Sequence, residues 1–113
     1  MLLFKKKYLD LIRSGKKTQT IRLWPHRRMR TGQRSYIPGV GYIHVDLVEP
    51  VELENLTDQD AAADGFPNRA ALQKELKELY PKELARGDAA YRVCFRLFTP
   101  EEAEEVRQEK TRS

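Results

Sequence analysis

Near the start of the chain, Gly15-Lys16-Lys17-Thr18-Gln19-Thr20-Ile21-Arg22 gathers amines, two hydroxyls and a guanidinium into eight residues. A threonine hydroxyl becomes a nucleophile when a neighbour removes its proton, and a guanidinium can hold the oxyanion that results, or a phosphate. Lys17 can be the proton acceptor only if its pKa, roughly 10.4 when free, is pulled down by burial or by the cations Lys16 and Arg22. Geometry decides whether these groups meet. From Thr18 to Leu23 the residues alternate and are rich in β-branched types, which favours a strand. Thr18, Thr20 and Arg22 then share one face, and Gln19, Ile21 and Leu23 the other. The same pattern also describes an ordinary solvated edge strand with threonines chosen for β-propensity.

The elements around this stretch are readable in order. Phe4, Tyr8, Leu11 and Ile12 fall at helical spacing, so Lys5 to Ser14 reads as a helix that Gly15 ends. After the strand, Pro25-His26-Arg27-Arg28-Met29-Arg30 is a cationic loop, and Thr31-Gly32-Gln33 a turn into a short strand at Arg34 to Ile37. Pro38-Gly39-Val40-Gly41 separates it from a long strand at Tyr42 to Leu53, in which Ile43, Val45 and Leu47 make one face and Pro50 suggests a bulge or an edge. Thr57 and Asp60 have capping-box spacing for a short helix that stops at Gly65, with Phe66 folding back. Asn68 caps a second helix, with Leu72, Leu76 and Leu79 as its stripe and Pro81 closing it. Lys82 to Asp88 reads as loop. Tyr91, Val93, Phe95 and Leu97 alternate in a last strand, and Thr99-Pro100-Glu101-Glu102 starts a terminal helix to about Gln108 with frayed residues after it. This order predicts an α+β fold on a small, mostly antiparallel sheet or barrel.

Composition bounds the function classes. A chain of 113 residues, 40% hydrophobic and 34% charged, is one soluble domain and neither fibrous nor disordered. The lone Cys94, the absence of a long apolar run and the lack of a leader-like start predict a cytoplasmic protein without a membrane span. One cysteine with the separated His26 and His44 argues against a structural metal, and no cofactor is expected. The net charge of +4 is unevenly spread: residues 1 to 34 hold eleven Lys or Arg against the single acid Asp10, while the rest hold ten against sixteen. That is the footprint expected for a phosphate-bearing partner, although a charge run is also the usual signature of a solvated face.

The spacing Gly15-x-Lys17-x-x-Thr20-x-Arg22 resembles the signature of ASCH domains, a branch of the PUA-like β-barrels, usually written with Gly, Lys, Glu and Arg. Thr20 stands where that signature has Glu. The same departure marks a subset, the small bacterial N4-acetylcytidine amidohydrolases, whose motif of Gly, basic, Lys, Thr, any, Thr, Ile, Arg is matched by Gly15, Lys16, Lys17, Thr18, Thr20, Ile21 and Arg22. The likeness continues through Thr31-Gly32, Leu56-Thr57 and its helix, the Leu72-to-Pro81 helix and the Tyr91-to-Leu97 strand. It implies a PUA-like, mostly antiparallel β-barrel with flanking helices over residues 1–98; the helix pattern of residues 99–113 reads as a C-terminal extension of the same domain. The likeness also implies a working set of lysine, threonine and glutamate, which fall on Lys17, Thr20 and, by the spacing from the Leu-Thr helix start, Asp64. Asp64 keeps the carboxylate but shortens its reach by one methylene, about 1.5 Å. Without the resemblance Asp64 reads as a helix-end residue in water. The Trp24-to-Arg30 insert and the tail after Thr99 have no counterpart in that subset.

Two functions of different kinds follow. The first is binding of RNA or a modified nucleoside or nucleotide in a basic cleft, with Thr18 and Arg22 inside it, Arg27, Arg28, Arg30 and Arg34 on phosphates, and Trp24, His26 or Tyr36 stacking a base. The second is amide hydrolysis on an N4-acetylcytidine-type nucleoside by Lys17, Thr20 and Asp64, with Asp64 acting at the leaving nitrogen or steadying Lys17. A ribonuclease ranks third, because no cluster suited to metal-assisted phosphoryl chemistry is visible. For Trp24 a core role competes with stacking, and for Arg27 to Arg30 a plain solvated loop competes with phosphate contact.

Overall fold

Alternating apolar residues build four strands in the computed structural model, which describes residues 1–112: β1 Gln19–Trp24, β2 Arg34–Ile37, β3 Gly41–Val51 and β4 Ala89–Leu97. All neighbours are antiparallel, in the order β1-β4-β3-β2, so β1 and β2 are the two edges. Five α-helices surround the sheet: α1 Leu9–Arg13, α2 Asp58–Asp64, α3 Arg69–Leu79, α4 Pro81–Arg86 and α5 Pro100–Arg112. The fold is α+β, as the element order predicts.

Both faces of the sheet are covered, which splits the core in two. Ile12, Ile37, Ile43, Val45, Val93 and Phe95 pack on one face together with Trp24 and Met29. On the other face Ile21, Leu23 and Ala90 meet Leu56 and Ala61 around α2 and Leu72 and Leu76 of α3. Each leucine buried this fully contributes on the order of 1.5–3 kcal/mol. Alternation along β1 therefore sends Ile21 and Leu23 to the helices and Trp24 to the opposite core.

The sheet is not closed into the expected barrel. Between β2 and β1 lies the N-terminal segment instead: the Leu2 N–H donates to the Tyr36 C=O at 2.9 Å, and Arg22 Nη2 donates to the Leu3 C=O at 2.6 Å. These bonds bridge the seam without making a ladder, so the outer side of β1 stays open to side chains.

Three local expectations change. In β3 the register slips between Val45 and Leu47, leaving Asp46 as an extra residue. A one-residue insertion flips the strand's phase, so Val48 is buried and Leu47 is exposed. Pro50 pairs with Tyr91 where β3 has no strand on its other side, the edge position a proline tolerates. Residues 82–86 are helical instead of loop, because Pro81 sits at N1 of α4 and Gly87 caps it left-handed. Helix α5, with its Thr99–Glu102 capping box, runs to Arg112, so the residues expected to fray after Gln108 are helical as far as Arg112; Ser113 lies outside the described residues. No described helix is long and apolar enough to cross a membrane.

Candidate functional site

Lys17 is fixed by the ends of two helices. The chain leaves α1 through Gly15 in the left-handed region (φ 79°), with the Lys16 and Lys17 N–H groups both on the Leu11 C=O at 3.0 Å. The Thr18 N–H then donates to the Ala63 C=O of α2 at 2.8 Å. Helix α2 starts on the predicted capping box and ends on Gly65 at φ 91°, with the Phe66 N–H on the Ala61 C=O and the Gly65 N–H on the Ala62 C=O. That paired-bond ending leaves the Asp64 C=O without a helical partner. Lys17 Nζ takes it at 2.7 Å and also donates to Asp64 Oδ1. The ammonium thus closes the negative end of α2 and pairs with its last side chain.

Very little water reaches this pair, whose side chains are 3% and 5% exposed. The rings of Phe4, Tyr8 and Phe66 surround Nζ at 5.7, 5.2 and 5.9 Å. Burial pulls Lys17 below its usual pKa and pushes Asp64 above its own, while the attraction between them works against both shifts. Among the described residues the second carboxylate oxygen has only a long, 3.5 Å contact from Gln19 Nε2. Burial therefore disfavours the charged form of each member of this pair.

Thr20 and Arg22 lie on the polar face of β1, beside the open edge. Arg22 Nε donates to Thr20 Oγ1 at 3.1 Å, its plane covers the Phe4 ring at 4.8 Å, and its side chain is hydrogen-bonded to Tyr80. Lys17, Thr20, Arg22 and Asp64 all line one cavity of about 130 Å³ between the N-terminal segment, β1 and α3. Glu75, Tyr8 and Tyr80 complete its polar wall; Leu3, Phe4, Phe66, Leu72 and Leu79 supply apolar surface. The volume suits one ring, not a strand of nucleic acid. With two cations and two carboxylates on its wall besides Lys5, the cavity is polar without being strongly basic.

The other candidate residues are elsewhere. Thr18 is exposed and faces a separate hollow beside Ser14 and Gly15. Trp24 is a core residue, 9% exposed and packed on Tyr91, so its faces are not open to a base. His26, Arg27, Arg28 and Arg30 are exposed on the loop after β1, where Arg27 lies 5.8 Å from the Tyr91 ring centre. Arg34 is on the far edge strand and pairs with Glu109 of α5 at 3.3 Å. Among the described residues no group of three or more His, Cys, Asp or Glu is placed to hold a metal ion.

Solved structures resemble this arrangement. The ASCH domain from Lactobacillus crispatus JV V101 matches with a TM-score of 0.66 at 16% identity, over 78% of this chain and 68% of that one. The chain has an ASCH-type fold. The hypothetical protein PH0355 matches with a TM-score of 0.69 at 18% identity, over 83% of this chain and 94% of that one. Protein EF3133 from Enterococcus faecalis V583, of the family DUF984, matches at 0.68 and 18%, over 81% and 67%. No family model and no curated protein matches the chain.

On this ASCH frame the cavity holds three residues that sequence reasoning passed over. Tyr8 reads as part of a helix stripe and Tyr80 as a helix end. Glu75 carries the one available signal: with Leu72, Leu76 and Leu79 it completes an i, i+3, i+4, i+7 set, so an acid occupies a stripe position.

Proposed function

We propose that the cavity takes up the base of a nucleoside and that Lys17, Thr20 and Asp64 hydrolyse an acyl amide on it, as on N4-acetylcytidine. One observation carries this reading: a lysine whose ammonium form is disfavoured by burial shares a ring-sized cavity with a hydroxyl already hydrogen-bonded to a guanidinium. Unprotonated Lys17 accepts the Thr20 proton as Oγ1 bonds to the acyl carbon. Arg22 stabilises first the developing alkoxide and then the oxyanion. Collapse breaks the C–N bond, and the leaving nitrogen receives the proton from Lys17, or from Asp64 if the pair holds its proton there. Water then cleaves the threonine ester and releases the acid. A purified sample should release acetate from N4-acetylcytidine, and Lys17→Ala or Thr20→Ala, shown to be folded by circular dichroism, should stop it. Absence of acetate with folded wild-type protein refutes the reading.

A second reading, binding of single-stranded RNA, is favoured by a different observation: His26, Arg27, Arg28 and Arg30 stand exposed on one loop. Phosphate contact there predicts RNA retention that falls steeply with salt, and a flatter slope for Arg27→Ala/Arg28→Ala. A slope unchanged in the double variant removes this reading.

A further inference from the structure

The wall of the cavity opposite β1 contains a carboxylate on a helix face otherwise given to leucines. Leu72 and Leu76 of α3 are 1% and 3% exposed, and Glu75 sits beside them with a side chain 17% exposed. An acid in such a place costs free energy unless it is hydrogen-bonded. Tyr8 OH donates to Glu75 Oε1 at 2.6 Å, and Lys7 Nζ lies 3.4 Å from the same oxygen. Among the described residues both contacts fall on Oε1, so the carboxylate is anchored from one side and Oε2 is left for a ligand. The Tyr8 hydrogen bond also holds Glu75 below the usual carboxylate pKa, so at neutral pH it only accepts. Arg22, on the same cavity, only donates.

We infer that Glu75 is a specificity residue: it accepts an N–H from the amino edge of a pyrimidine while Arg22 donates to a neighbouring acceptor on the same ring. The inference rests on the nucleoside reading of the cavity and adds to it a choice between bases. A 4-amino pyrimidine presents a donor where a 4-oxo pyrimidine presents an acceptor, and carboxylates characteristically accept from the former. Against Glu75 the oxo form would set two acceptors face to face, with neither desolvated group satisfied. A single ring also fits the volume better than a purine. The competing role for Glu75 is to anchor Tyr8 and nothing more.

Cytidine and uridine, which invert the donor and acceptor at the 4-substituent and at the adjacent N3, separate the two roles when titrated calorimetrically into the whole chain. Neither carries an acyl group, so the result does not depend on hydrolysis. Wild-type protein should prefer cytidine by about tenfold or more. Glu75→Gln keeps an acceptor for Tyr8 but offers an amide N–H₂ to the ligand, and should erase or invert the preference. Tyr8→Phe removes the anchor and leaves the carboxylate, and should keep it. Equal binding of the two nucleosides, binding of neither, an undiminished preference in Glu75→Gln, or its loss in Tyr8→Phe as complete as in Glu75→Gln would each overturn the inference. Cytidine preference without acetate release would remove the hydrolytic reading alone, and acetate release without the preference would remove the role of Glu75 alone.

Discussion

Lys17→Met should cost the fold much more than its single lost hydrogen-bonding group suggests. The substitution leaves the Asp64 carboxylate 5% exposed, with the 3.5 Å contact from Gln19 as its remaining side-chain donor. Removing one partner of a buried pair costs about 3–5 kcal/mol, because the other charge stays uncompensated. Asp64→Asn should cost less, roughly 1–3 kcal/mol. There Lys17 keeps the backbone carbonyl of residue 64 at 2.7 Å and the three surrounding rings, and it can discard a proton that burial already disfavours. Lys17→Met/Asp64→Leu removes both charges and refills the space, which is often neutral or stabilising, so the double variant should be more stable than Lys17→Met. Urea denaturation at constant m-value measures all three. The pH dependence gives an independent check. With Lys17 gone, burial is the largest influence on Asp64, opposed by the weaker pulls of Gln19 and Arg22, and raises its folded pKa above the ordinary 3.8. The folded state then binds the extra proton, so its stability is fully present below 3.8 and lost as pH rises through the folded value. The deficit of Lys17→Met should therefore shrink in acid. Single variants within about 0.5 kcal/mol of wild type, or a double variant as unstable as the two losses added, would refute the buried-pair argument.

Acetate release should rise with pH and level off below 10.5, since burial pulls Lys17 down from that value and only its neutral form accepts the Thr20 proton; a rate still climbing at 10.5 would exclude Lys17 as the base. Gly65→Ala should destabilise by about 1–2 kcal/mol, from the left-handed backbone alone, because Gly65 has φ 91° and an added Cβ would lie 3.2 Å from Leu11 Cδ1. It should also lower acetate release by displacing Asp64, and a variant of unchanged melting temperature would contradict this. Arg27→Ala/Arg28→Ala should leave acetate release unchanged, because neither residue lines the cavity; a large fall in rate would show that the loop reaches the substrate.

The parts of the fold set by local chemistry were readable from residue order. Thr57 and Asp60 exchange their two capping bonds, Asn68 caps α3 through the Ala71 N–H, and β4 keeps the alternation that buries Val93 and Phe95. Features made by distant partners were not. No glycine or proline marks the bulge at Asp46, and Met1 to Phe4 gives no strand pattern, yet Leu2 and Leu3 bridge the two edge strands. Asp64 shows why a site is harder than a fold. A carboxylate at a helix end ordinarily stands in water, and only the resemblance pointed to it; what buries it is the chain's return through Lys17, 47 positions away. Trp24 lay at a loop boundary, but strand phase sends its ring to the core.

The charge count along the chain differs from the charge distribution in space for a related reason. Eleven basic residues precede position 35, which along the chain looks like one basic surface. In space several of them are tied to separate partners: Lys7 to Glu75, Arg13 to Asp10 and the Gly39 carbonyl, Lys17 to Asp64, Arg22 to Thr20 and the Leu3 carbonyl, Arg34 to Glu109. A cation that already has a carboxylate within about 4 Å loses much of its pull on a second anion, since that contact is worth about 4 kcal/mol at an effective dielectric of 20. The cavity, with Glu75 and Asp64 set against Lys17 and Arg22, is therefore better matched to a neutral group carrying both donors and acceptors than to a phosphate. The exposed loop at Arg27 to Arg30 is where a polyanion would be felt, and it is a different surface. The nucleoside and polyanion readings therefore fall on different surfaces, the first beside Thr20 and Arg22 within β1 and the second on the loop that follows the strand.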